Sequence, residues 1–135
     1  MNTAAQNETT THTIYLIDDH AALRRALARF VDDEPDLEVC GEASSAREGL
    51  AALETLTPDL ILVDVAMPET NGIEFVRELK KERPELKCLM VSAHGQQEYK
   101  DAALAAGARG YVTKEDPLDV LEAIQAVLRG ETYKG

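Results

Sequence analysis

Residues 60–68 read Leu-Ile-Leu-Val-Asp-Val-Ala-Met-Pro: four branched or bulky apolar residues stop at Asp64, and a Met67-Pro68 turn follows. The run is too short for a helix and apolar on both faces, as a strand covered by helices on both sides must be. The pattern returns three times. Ile14 to Ile17 stops at Asp18 and Asp19, Cys88 to Val91 at Ser92, and Tyr111 to Thr113 at Lys114. Parallel sheets in α/β domains collect their working groups at the carboxyl ends of the strands, so all four endings fall where a site is expected.

Working outward, a polar tail over residues 1–12 precedes five repeats of strand and amphipathic helix, the alternation of a doubly wound parallel sheet with right-handed crossovers. The first helix is expected over Ala21 to Asp32, with Leu23, Leu27 and Phe30 inward. Leu37 to Ala43 forms the second strand, and Ser44 or Ser45 caps a helix that carries Ala46, Leu50, Leu53 and Leu56. Asn71-Gly72 opens the third helix, which turns Phe75, Val76 and Leu79 inward and closes at Arg83-Pro84. Helix four runs from about Gln96 to Ala106 with an inner face of Ala102, Ala103, Ala105 and Ala106, and Gly107 ends it. Asp116 caps helix five, Pro117 takes its first turn, and Val120, Leu121, Ile124, Val127 and Leu128 form its apolar face. The second strand alternates, with Glu38 between Leu37 and Val39, and the fifth is short. These are the edges, giving a single five-stranded, flavodoxin-like sheet of order 2-1-3-4-5.

At 135 residues the chain suits one domain, and 44% hydrophobic content can fill its core. With 25 acidic and 14 basic residues the net charge is −11, which argues against direct nucleic-acid binding, since duplex contacts rely on Lys and Arg. Residues 1–12 lack the features of a secretory leader, and no segment approaches the 18 apolar residues of a membrane span, so a cytoplasmic location without membrane contact is expected. Cys40 and Cys88 fall in the second and fourth strands, about 14 Å apart at about 4.8 Å per step, and are expected to be reduced core residues.

In the order 2-1-3-4-5, Asp18, Asp19 and Asp64 end on neighbouring strands, with Ser92 one strand further on and Lys114 two strands from Asp64. Taken singly, Asp18-Asp19 could be a cap, Asp64 a turn residue and Lys114 a solvated charge. Together they form a matched set. Carboxylates this close repel by about 4 kcal/mol per pair at 4 Å and an effective dielectric of 20, so a cation belongs among them. Mg²⁺, which favours one or two carboxylates plus water and phosphate oxygens, suits the set, whereas the cysteines and histidines lack zinc spacing. Beside such a cation Asp64 can accept a phosphoryl group as an acyl phosphate, with Lys114 and Ser92 stabilising the phosphoryl oxygens. His20 and His94 read as solvated loop residues.

These motifs resemble those of the response-regulator receiver domains of bacterial two-component signalling: LIDDH at 16–20, LVDVAMP at 62–68, Asn71-Gly72, VSAH at 91–94 and GARGYVTKEDP at 107–117 match in order and spacing. The resemblance covers residues 13 to about 131, most like the NarL/FixJ branch, and leaves 132–135 as a stub. It implies that Asp64 is the phosphoacceptor, that Asp18, Asp19, Asp64 and the Ala66 backbone carbonyl hold Mg²⁺, that Ser92 and Lys114 bind the phosphoryl group, and that Ser92 and Tyr111 form the switch. It further implies a sensor histidine kinase as donor, a phosphorylation-linked homodimer through helices one and five, and control of transcription through a DNA-binding output domain outside this chain. On this reading Tyr111 rotates inward when Ser92 moves towards the phosphoryl group. The resemblance also implies that the protein is no enzyme beyond catalysing its own phosphorylation and slow dephosphorylation.

Three other readings compete. A haloacid-dehalogenase-type phosphatase needs an Asp-x-Asp nucleophile motif, which neither Asp18-Asp19-His20 nor Asp64-Val65-Ala66 supplies. A flavodoxin-like nucleotide binder needs a glycine- or hydroxyl-rich loop after the first strand, and none is present. A receiver acting as an unphosphorylated docking module fits the same residues.

Overall fold

In the computed structural model, which describes residues 11–67, 70–93 and 97–134, five strands form one parallel sheet of order β2-β1-β3-β4-β5. The strands are β1 (His12–Ile17), β2 (Leu37–Ala43), β3 (Leu60–Asp64), β4 (Cys88–Ser92) and β5 (Gly110–Thr113). The crossover helices are α1 (Ala21–Asp32), α2 (Ala46–Leu53), α3 (Gly72–Glu82), α4 (Gln97–Ala106) and α5 (Pro117–Leu128). The order expected from strand polarity is the order observed. His94 and Pro68 lie outside the described residues.

Alternate side chains of each strand enter two apolar layers. Tyr15, Ile17, Ile61, Val63, Cys88, Met90 and Tyr111 pack under α2, α3 and α4, while Ile14, Leu16, Leu60, Leu62, Leu89, Val91 and Val112 pack under α1 and α5. β3 and β4 are buried at every residue, which is why they read as unbroken apolar runs. Local capping agrees with the sequence: Ser45 accepts from the Glu48 N–H, Asn71 from the Ile73 N–H at 2.7 Å and Asp116 from the Leu118 N–H at 2.9 Å.

Four packing expectations are corrected. The inward face of α1 is Arg24, Ala28 and Val31, and Leu23 is 56% exposed. The two stripes are parallel i, i+4, i+7 rows one residue apart, and the buried one is set by polar contacts that Arg24 makes inside. On α2 the buried residues are Ala46, Gly49 and Leu53; Leu50 is exposed, and Leu56 lies beyond the helix end. On α4 only Ala103 and Ala106 are buried, and Ala105 faces outward. Cys88 is buried, but Cys40, on edge strand β2, is only partly covered, and both are free thiols.

After α5 the chain reverses at Gly130, whose φ is +90°, and Tyr133 lies along the free edge of β5. Its N–H donates to the Arg109 carbonyl at 3.0 Å, and its carbonyl accepts from the Tyr111 N–H at 2.9 Å. Backbone groups of an edge strand are thereby paired, which blunts that edge. Among the described residues, no helix is long and apolar enough to cross a membrane.

Candidate functional site

Asp18 follows β1, Asp64 ends β3, Ser92 ends β4 and Lys114 follows β5, so the four converge at the carboxyl edge of the sheet. Ligand atoms of Asp18, Asp19, His20 and Asp64 all lie within 4.8 Å of one another. The Lys114 Nζ donates to Asp18 Oδ2 at 2.7 Å and lies 3.5 Å from Asp64 Oδ2. The side chains of Asp18 and Asp64 are 6% and 5% exposed, so both carboxylates and the ammonium between them are largely removed from water.

The acids are not helix caps. The N-cap of α1 is His20, which makes no side-chain cap bond, and Asp18 Oδ1 accepts from the His20 N–H at 2.9 Å. The sequence places His20 in a solvated loop. Its side chain is indeed 66% exposed, yet its Nδ1 lies 3.6 Å from Asp19 Oδ1 and so borders the acid cluster. Asp19 Oδ1 is buried and has no hydrogen-bond partner among the described residues. An anionic oxygen left in that condition beside two other carboxylates is costly, and a hard cation is the group that would satisfy it.

Ala66 sits on the exposed loop after β3, and its N–H hydrogen-bonds the Asp64 carboxylate. Ser92 is buried at the end of β4, and its side chain hydrogen-bonds the Tyr111 phenol. Tyr111 is fully buried, and burial, ahead of the opposing Ser92 bond, raises its phenol pKa.

Burial first, and the Asp18 carboxylate second, push the Asp64 carboxyl up to about 6 from 3.8, against Lys114 and the Ala66 N–H. An acid whose folded pKa lies above its unfolded value takes up a proton on folding. Its contribution to stability is therefore full below about pH 4 and is lost as pH rises through about 6. For Asp64 this amounts to on the order of 3 kcal/mol by about pH 7 in the metal-free domain. Comparison with Asp64→Asn cancels the other carboxylates. In chelator, the melting temperature of the variant should exceed that of the wild type by a margin that grows between about pH 5 and about pH 7. A margin independent of pH would contradict the assignment of the strain to Asp64.

Residues 14–125 match the response regulator receiver domain family. The chain is 36% identical over 120 residues, 88% of its length, to the DNA-binding transcriptional activator DevR/DosR of Mycobacterium tuberculosis. It is 38% identical over 120 residues, again 88% of its length, to the nitrate/nitrite response regulator protein NarL of Escherichia coli. These matches take in 55% and 56% of the relatives, so the chain spans about half the length of the curated relatives it matches. Among solved structures, a LuxR-family two-component response regulator from Aurantimonas sp. superposes with a TM-score of 0.88 at 33% identity, covering 92% of this chain and 89% of that one. A CheY-like receiver domain protein from Methanospirillum hungatei gives 0.80 at 31% identity, covering 90% and 96%.

Proposed function

This chain belongs to the response regulator receiver domain family, and from that premise we propose that Asp64 accepts a phosphoryl group from a sensor histidine kinase. The observation that carries the assignment is the placement of Asp64: a buried carboxylate 3.5 Å from the Lys114 ammonium, inside a cluster of three acids. One carboxylate oxygen attacks the phosphorus of the kinase phosphohistidine; the O–P bond forms as the P–N bond breaks, and the leaving imidazole takes up a proton. Water later attacks the same phosphorus, releasing inorganic phosphate and restoring the carboxylate.

The orphaned Asp19 oxygen and its neighbours fit Mg²⁺, which Asp18, Asp19, Asp64 and the Ala66 carbonyl would hold. When bound, the ion supplies positive charge to the acids and to the phosphoryl oxygens. Lys114 draws the phosphoryl group in as a fixed charge, and Ser92 offers it a hydroxyl. Asp64 must be ionised to attack, so its raised pKa is a cost that the neighbouring positive charges offset.

Ser92 and Tyr111 are the switch pair. An acyl phosphate adds nearly two negative charges and three acceptor oxygens, and Ser92 turns from the Tyr111 phenol to meet them. The surface of α4, β5 and α5 changes with the loss of that bond. α4 suits this role because its buried residues are two alanines, which anchor it weakly. The apolar groove beside Lys114, between Leu23, Leu27 and Phe30 of α1 and Pro117 and Val120 of α5, belongs to the α1–α5 face that forms the contact of a phosphorylation-linked homodimer. By analogy with the DNA-binding transcriptional activator DevR/DosR, transcriptional output would pass through a DNA-binding domain outside these residues, in the cytoplasm. Incubation with Mg²⁺ and a small acyl phosphate should add one phosphoryl group by intact mass, and none in chelator. A chain that gains no mass would act as a docking module only.

A further inference from the structure

Arg24 is only 8% exposed although it sits within the amphipathic helix α1, and a buried guanidinium requires partners. It has two. Its Nε donates to Glu42 Oε1 at 2.8 Å, and its Nη1 donates to the Asp18 main-chain carbonyl at 2.7 Å. The first bond depends on an irregularity in the sheet. Ile14 pairs with Val39 but Tyr15 pairs with Gly41, so one extra residue on β2 is skipped. Without it Glu42 would pair with Ile17 and face α2 and α3; with it Glu42 pairs with Leu16 and faces α1.

The second bond completes the fixation of Asp18. Its N–H donates to the Ala43 carbonyl at 3.0 Å, its Oδ1 accepts from the His20 N–H, and its Oδ2 accepts from Lys114. Its carbonyl is left to Arg24. We propose that Arg24 is a positioning residue for the acid cluster: held by Glu42, its guanidinium grips the Asp18 carbonyl and so sets the turn that aims the Asp18 and Asp19 carboxylates at Asp64. Removing a group that orients metal ligands from behind typically weakens metal binding by about 10- to 100-fold.

The inference rests on the assignment of the cluster to Mg²⁺, and the test separates the two. Mg²⁺ affinity is measured by calorimetry on the wild type, Arg24→Met, Arg24→Lys and Glu42→Gln, each at a temperature where circular dichroism shows it folded. Arg24→Met should weaken Mg²⁺ binding by about tenfold or more. Arg24→Lys, whose single ammonium cannot serve both acceptors, should weaken it less, and Glu42→Gln least, because the amide oxygen still accepts from Nε. A merely structural Arg24 would lower the melting temperature and leave the affinity of the folded protein unchanged; that result overturns the proposal. If Arg24→Met does not fold, Arg24→Lys decides alone, and wild-type affinity in it overturns the proposal. A wild type that binds no Mg²⁺ overturns the metal assignment and this inference with it.

Discussion

Lys114→Met should destabilise the metal-free domain by about 3 kcal/mol or more near pH 7, the cost of removing one partner from a buried ion pair. The side chain that Lys114 places between Asp18 and Asp64 is 15% exposed, and the two acids it faces are less exposed still. Methionine keeps most of the volume and none of the charge, so the loss is electrostatic rather than a cavity. Two further signs identify the cause. Part of the loss should return near pH 5, where Asp64, already raised to about 6, takes up a proton more readily. Part should also return on adding Mg²⁺, by mass action on the folded state. Urea unfolding in chelator at both pH values, and again with Mg²⁺ in place of the chelator, is the measurement; a change within about 0.5 kcal/mol in chelator would mean that the lysine is a solvated surface charge.

Gly72→Ala is the second large effect. A Cβ built at Gly72 would overlap the Asp64 carbonyl oxygen and fall 2.9 Å from its carbon, both backbone atoms of the strand end that carries the proposed phosphoacceptor. The Gly72 N–H donates to the Val65 carbonyl at 2.7 Å, which locks the approach. Relief requires the start of α3 to move off β3, at an expected cost of about 3 kcal/mol or more, the upper range of overpacking effects. Gly130→Ala is the control. At φ +90° it carries backbone strain but meets nothing within 4 Å, so it should cost about 1 kcal/mol. Equal effects at the two positions would show that contact with Asp64 is not what Gly72 is for.

The sheet was readable because its inner strands β1, β3 and β4 are apolar on both faces and stop at polar residues, a pattern that needs no tertiary information. The strand order followed from Glu38 in β2 and the brevity of β5, the marks of edges. The convergence of Asp18, Asp19, Asp64, Ser92 and Lys114 then came from topology alone. What pattern could not supply was the phase of α1. Leu23, Leu27 and Phe30 form as good a stripe as Arg24, Ala28 and Val31, and only the Asp18 carbonyl and Glu42, brought in by a bulge in β2, decide between them. A charged residue in register with Ala28 and Val31 was the available signal. Gly72 was legible as a turn residue but not as a contact, since nothing in its neighbours announces the Asp64 backbone. His20 likewise became part of the acid cluster only when the turn after β1 was seen to fold back on itself.

The central claim is that the carboxyl ends of the strands gather three acids and a lysine so that Asp64, and no other residue, is esterified. Acyl phosphates are reduced by borohydride to the alcohol. Treatment of the protein with Mg²⁺ and a small acyl phosphate, followed by borohydride and peptide mapping, should therefore find homoserine at position 64 and unmodified aspartate at 18 and 19. Reduction at Asp18 or Asp19, or a stable phosphate on Ser92 with Asp64 intact, would contradict it.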